Sequence, residues 1–324
     1  MWASPFSLSR AGILGMNRRN VAYIGRYNDR SLYPLVDNKL RTKLICQKYQ
    51  LTVPKLLGMV QQQHEIEHVL DLVQSFHGFA IKPAKGSGGK GILVITGRSG
   101  DDFIKASGDV ITLEDIKRHL SNILAGLYSL GGKPDVAIME ELIEFDDRFE
   151  GYSHQGVPDI RIIIFQGYPV MAMLRCATHE SDGKANLHQG AVGVGLDIAT
   201  GRCLNAVQFS TPISHHPDTG KQLKDIEIPH WQEMLVLASR CFEMTGLGYI
   251  GTDLVLDKQK GPLLLELNAR PGLSIQVANG CGLLPRLRHI EKLKKRHDSA
   301  EERVSHAMDV FGMAAGTEPE SLAG

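Results

Sequence analysis

The chain has 324 residues, 43% hydrophobic and 22% charged, the balance of an ordinary globular protein with room for about two domains. Basic and acidic residues number 36 each, so the basic excess of a nucleic-acid-backbone binder is missing and no nucleic-acid partner is expected. No apolar run is long enough for a signal peptide or a membrane span, and the chain reads as cytoplasmic, without membrane insertion.

Residues 1–36 carry scattered Gly, Pro and Arg and give weak signals. Asp37-Asn38-Lys39 opens a predicted helix over 37–49 with Leu40, Leu44 and Ile45 on one side, and Pro54 excludes helix beyond it. A second helix is expected over 65–76. The period then changes: 79–82 reads as a short strand, a glycine-rich stretch follows, and 92–95 reads as another strand. Residues 113–130 read as helix, 136–139 as a buried strand and 145–158 as an acidic loop. The runs 160–165 and 170–176, around a turn at Gly167-Tyr168, predict a hairpin whose register turns Arg175 away from Arg161. An insert over 211–229 holds His215-His216, read as solvated turn histidines rather than a metal pair. A helix over 231–244 precedes a second hairpin over 251–268. The tail from Ile290 is first basic and helical, then frays around 317–321. Strands and helices mix without regular βαβ alternation, so the fold class is α+β lobes rather than a doubly wound sheet. Cys46, Cys176, Cys203, Cys241 and Cys281 form no CxxC pair and no zinc spacing with histidine, which points to reduced, buried thiols.

The stretch Gly86-Ser87-Gly88-Gly89-Lys90-Gly91 matches GxGxxG in letters, but a dinucleotide fingerprint must open a helix and here a β-branched run follows. Nor is it a Walker A loop, because Gly91 stands where a Ser or Thr should follow the lysine. What remains is a glycine-rich flap between antiparallel strands, able to lay backbone N–H groups over phosphates. Lys82 lies in the strand before it, on the face opposite Phe79 and Ile81. A buried ammonium there needs an anionic partner, which a nucleotide phosphate would supply; a lysine reaching solvent from an edge strand is the alternative. Lys39 sits in the first turn of its helix, where a cation meets the positive end of the dipole.

The second hairpin carries the strongest chemistry. Pairing across a loop at 257–262 sets Leu256 against Leu263 and Asp253 against Glu266. One face then holds Leu254, Leu256, Leu263, Leu265 and Leu267; the other holds Asp253, Glu266 and Asn268. Opposed carboxylates need a counter-ion, and two acids with an amide oxygen suit Mg2+; a hairpin with a solvated polar face is the alternative. Arg270, just beyond, is placed to stabilise charge on a transferring phosphoryl group.

On these motifs the chain resembles the ATP-grasp superfamily, in particular the α-L-glutamate ligase-like group and the sugar-transfer-associated ATP-grasp proteins. The resemblance covers residues 37–283. It implies an ATP-grasp fold of two α+β lobes that clamp ATP, with Lys39, Lys82 and the flap Gly86, Ser87, Gly88, Gly89, Lys90 and Gly91 on the phosphates. Glu140, Glu141, Leu142 and Ile143 would form the hinge where adenine is held, and Asp159 would take the ribose hydroxyls. Arg161 would contact phosphate or substrate, and Lys184 and Asn186 would lie on the loop past the triphosphate. Asp253, Glu266 and Asn268 would be the metal ligands and Arg270 the catalytic arginine. The cofactors implied are ATP and one or two Mg2+, with Mn2+ as a substitute. The expected lobes are 37–144 and 145–289, between an N-terminal segment 1–36 and a tail 290–324. Only 36 residues precede Asp37, too few for the N-terminal α/β domain of typical relatives.

The function so implied is an ADP-forming carboxylate–amine ligase acting through an acyl phosphate, adding glutamate or another amino acid to a peptide or small acceptor. A phosphotransferase using the same cleft and a non-catalytic nucleotide-binding regulator are the alternatives. Oligomerisation is left open.

Overall fold

The computed structural model describes residues 4–312 apart from 69–72, 74, 87 and 155, so Ser87, part of the helix expected over 65–76, and the fraying end of the tail lie outside the described residues. The chain divides into two compact units. The smaller comprises Asp37–Lys48 and Val53–Glu144; the larger comprises Met1–Val36, Tyr49–Thr52 and Phe145–Gly324.

The smaller unit is a six-stranded antiparallel sheet in the order β1-β6-β2-β3-β4-β5: β1 Leu56–Val60, β2 Phe79–Pro83, β3 Leu93–Ser99, β4 Asp102–Lys105, β5 Val110–Ile111 and β6 Ala137–Glu141. Helix α1 is Lys39–Lys48 and helix α2 is Leu113–Leu124. Phe79 and Ile81 of β2 meet Ile95, Phe103, Met139 and the α2 residues Ile116, Leu120 and Ile123 in one fully buried core. A capping box between Thr112 and Asp115 starts α2. It ends six residues before the expected 130, because Gly126 takes φ +84° and any Cβ there would stand 2.4 Å from the Lys133 carbonyl oxygen. Strands β1, β4 and β5 were not expected from the sequence. In α1 the expected apolar side is also corrected: Leu44 is 53% exposed, while Thr42, Lys43 and Cys46 face inward. The inward residue that matters is a lysine.

The larger unit is a seven-stranded antiparallel sheet in the order β11-β10-β9-β8-β7-β12-β13. Its strands are β7 Asp159–Phe165, β8 Tyr168–Cys176, β9 Val192–Leu196, β10 Cys203–Gln208, β11 Thr211–Pro212, β12 Tyr249–Asp257 and β13 Gly261–Asn268. Helices α3 Trp231–Thr245 and α5 Ala300–Phe311 pack on it, with α4 Leu284–Glu291 against β8. The N-terminal segment belongs to this unit: Tyr23 and Tyr27 set their rings edge-on to Phe165, at 5.6 and 4.9 Å between centroids.

Two one-residue bulges decide which side chains share a face in this sheet. The β7–β8 turn is Gln166-Gly167, both at positive φ, and pairs Phe165 with Tyr168 and Ile164 with Pro169. Between Ile164 and Ile163 the register slips, so that Ile163 faces Met171 and Asp159 faces Arg175. A proline has no N–H for the ladder and sits where the ladder breaks. The slip turns Arg175 onto the face of Asp159 and Arg161, which corrects the expectation that it points away. In β12–β13 the turn pairs Leu256 with Pro262, not Leu263, and a bulge between Leu254 and Asp253 then brings Asp253 opposite Glu266. His216 is a further correction: it is buried, its ring against the Ala177 carbonyl at 3.3 Å, whereas His215 is exposed.

Candidate functional site

In the smaller unit the glycine loop has a tied base and an exposed tip. Lys39 reaches the Gly86 carbonyl with its ammonium at 2.9 Å, and its backbone N–H donates to Ala84. The buried Asp135 carboxylate accepts from the Lys85 N–H at 2.9 Å and from the Ser129 hydroxyl at 2.5 Å. On the return side His119 bonds the Gly91 carbonyl, and Gly91, at φ +74°, has no room for a Cβ beside the Tyr128 ring. Gly88 and Gly89 at the tip, also at positive φ, would meet nothing within 4 Å if given a Cβ. Lys90 is exposed beside them. The loop joins β2 and β3, which pair antiparallel from Phe79–Ile95 to Ile81–Leu93.

The anion beside Lys82 is a carboxylate of the protein. Lys82 donates to Glu140 at 2.6 Å, and Lys43 of α1 donates to the other oxygen of the same carboxylate at 2.8 Å. All three side chains are buried or nearly so, at 16%, 7% and 5% exposure for Lys82, Glu140 and Lys43. Burial works against the Glu140 charge, but the two ammonium groups outweigh it and hold its pKa below the ordinary range. Glu140 therefore points its carboxylate into this unit. Glu141 pairs across from Phe79 and donates its N–H to the Lys55 carbonyl; Leu142 and Ile143 continue past the strand, half-buried.

In the larger unit four charged side chains meet on one face of the sheet. Arg161 grips Asp253 with two hydrogen bonds, at 2.7 and 2.5 Å. Arg175 grips Asp159 in the same bidentate way and reaches Asp253 at 2.9 Å. The counter-ions of Asp253 are thus two arginines, one of them shared with Asp159. Burial opposes ionisation of Asp253, yet Arg161 and Arg175 hold its pKa below the ordinary carboxylate range; in Asp159 burial wins over Arg175 and the pKa rises. Both oxygens of Asp159, the residue expected on the ribose hydroxyls, accept from Arg175.

Glu266 faces Asp253 and is half-buried. Two residues on, Asn268 accepts the Arg270 N–H at its side-chain oxygen, 2.8 Å away, and the exposed Arg270 guanidinium lies 5.4 Å from the centre of the Tyr33 ring. The donor set, two carboxylates and an amide oxygen, has the hard chemistry that Mg2+ prefers, although Asp253 is already shared with arginines. No group of three or more His, Cys, Asp or Glu among the described residues forms a metal site by itself. Lys184 is half-exposed and pairs with Asp182 at 2.9 Å, and Asn186 caps a short turn by accepting the His188 N–H at 3.1 Å. Among the described residues no hydrogen bond or ion pair joins either of these to the arginine cluster.

Sequence reasoning missed Lys43 and Arg175. Lys43 was signalled by its position one helical turn after Lys39 and by an acid in a buried strand that had to find a cation. Arg175 was signalled by Pro169, a residue that marks a bulge when it stands in a strand.

The sequence profile of the sugar-transfer-associated ATP-grasp family matches residues 18–292. No curated protein sequence matches the chain. Similar solved structures include D-cycloserine synthetase DcsG, at 14% identity, 93% of this chain and 82% of that one, with a TM-score of 0.48. D-alanyl-alanine synthetase A from Vibrio cholerae O1 biovar eltor str. N16961 is 11% identical over 86% of this chain and 66% of that one, with a TM-score of 0.46. The ATP-grasp ligase PsnB, complexed with a phosphomimetic variant of its minimal precursor, Mg and ADP, is 14% identical over 82% of this chain, with a TM-score of 0.45. The chain spans 60% and 63% of the length of the two PsnB chains first matched. On the family match, which runs through the glycine loop, both arginine-gripped acids and the β12–β13 hairpin, the chain belongs to the sugar-transfer-associated ATP-grasp family.

Proposed function

We propose that the protein is an ATP-dependent carboxylate–amine ligase that forms ADP through an acyl phosphate. The observation that carries the reading is the β12–β13 hairpin: Asp253 opposite Glu266, Asn268 two residues on, and Arg270 next beyond. Family membership supports ATP as the nucleotide. Asp253, Glu266 and Asn268 would hold one or two Mg2+, which when bound neutralise phosphate oxygens as charge moves between them. Lys39 and Lys82 offer ammonium groups to the phosphates, and the exposed tip Gly88-Gly89 offers backbone N–H groups. Leu142 and Ile143 are assigned to the adenine, and Lys184 and Asn186 to the loop past the triphosphate. Arg161 and Arg270 stabilise negative charge on the transferring phosphoryl group, while Arg175 keeps Asp253 ionised.

In the reaction so assigned, a carboxylate oxygen of the substrate attacks the γ-phosphorus and ADP leaves. An amine nitrogen then attacks the acyl carbon, phosphate leaves with the bonding electrons, and the nitrogen loses a proton. Most of the rate enhancement would be positioning and charge stabilisation. The family's association with sugar transfer makes sugar-borne carboxylates and amines the first substrates to try, alongside glutamate and peptides.

The test is a panel of such carboxylates with Mg-ATP and hydroxylamine, read for nucleotide product and hydroxamate. ADP, phosphate and a hydroxamate are expected. AMP and pyrophosphate would overturn the acyl-phosphate mechanism, and ADP with a stable phosphorylated product would make the protein a phosphotransferase.

A further inference from the structure

Lys43 has no part in the chemistry above, yet it is more deeply buried than either lysine assigned to phosphate. Its ammonium donates to Glu140 at 2.8 Å and to the Pro54 carbonyl, in a helix whose inward face is otherwise Thr42 and Cys46. A buried ammonium is costly even when paired, and a methionine or leucine would fill the same space. Burial lowers the Lys43 pKa from the ordinary lysine value while Glu140 acts to raise it, and the nearby Lys82 charge lowers it further.

The arithmetic of charge explains the arrangement. With Lys82 alone, Glu140 would form a neutral, closed pair and pin Lys82 at 2.6 Å. With Lys43 sharing the carboxylate, two ammonium groups stand against one negative charge, and the trio keeps one net positive charge. Lys43 is the deeper of the two, at 5% exposure against 16% for Lys82, so the surplus is presented at Lys82. We propose that Lys43 is a positioning residue that, by sharing Glu140, leaves Lys82 with the positive charge that recruits a nucleotide phosphate. The inference rests on the nucleotide-binding reading of Lys82.

Calorimetric titration with the slowly hydrolysed analogue AMPPNP and Mg2+ tests it in the full chain. Lys43→Met should weaken binding by about tenfold or more, the size of a close charge coupling. Lys43→Arg should stay close to wild type. The double variant Lys43→Met/Glu140→Gln removes the buried pair together and leaves the Lys82 charge unopposed, so it should return to within about threefold of wild type. A merely structural role for Lys43 would lower the urea midpoint of Lys43→Met and leave the AMPPNP affinity of the folded variant unchanged. Unchanged affinity in Lys43→Met, or a folded double variant that binds as weakly as the single, overturns the proposal. Should Lys43→Met fail to fold, the double variant alone decides, since loss of binding there contradicts the charge argument. Lys82→Met separates the two levels: if it binds AMPPNP like wild type, the assignment of Lys82 to a nucleotide phosphate falls.

Discussion

Replacing Arg175 by Met removes the side chain that joins Asp159 to Asp253. Asp159 then loses both hydrogen bonds to its carboxylate, and Asp253 keeps only Arg161. Side-chain exposure is 11% for Arg175, 12% for Asp159 and 6% for Asp253, so solvent cannot take over the lost contacts. Breaking a buried ion pair from one side costs about 3–5 kcal/mol, chiefly from the charge left behind. Because Arg161 still neutralises Asp253, the lower end, about 3 kcal/mol, is expected. Urea unfolding at neutral pH, followed separately by a probe in the larger unit, gives the value. The decisive comparison is the double variant Arg175→Met/Asp159→Asn, which leaves no orphan charge and should recover most of the loss. A single variant within about 0.5 kcal/mol of wild type, or a double variant no more stable than the single, would refute the idea that Arg175 serves as the counter-ion of Asp159.

Glu266→Gln removes one of two opposed carboxylates at nearly constant shape, so stability without metal is expected to be no lower than wild type, while Mg2+-dependent ADP formation collapses. Melting well below wild type would make Glu266 structural, and full activity would move the metal elsewhere. For His216, burial lowers the pKa of the ring below the ordinary imidazole value, against the opposing pull of Asp218. The unfolded chain therefore binds more protons in the window below that value, so the contribution of neutral His216 is whole above it and is lost as pH falls through it. His216→Gln should flatten the decline in urea midpoint between neutral pH and pH ~5; a decline as steep as wild type would exclude the assignment.

The sequence by itself determined the local features. A glycine stretch followed by β-branched residues rather than a helix predicts a loop between strands, and β2 and β3 flank it. The alternation Phe79-Ala80-Ile81-Lys82 predicts which side of β2 is core, and Phe79 and Ile81 are fully buried. Asp253 opposite Glu266 was also legible, although the pairing assumed for the leucines around it was not the real one. Tertiary structure decided everything that depended on parity or on distant partners. One extra residue in β8 and one in β13 each turn a whole run of side chains over, and a propensity argument has no means of counting a bulge it does not see. The ion partners lie 58 residues apart for Lys82 and Glu140, and 92 for Arg161 and Asp253. Which cation answers which buried acid is set by electrostatics across the sheet, after the strands are in register. Lys43 and Arg175 found their partners by that route: each is an ordinary charge in its own segment, and each meets an acid that only folding brings near.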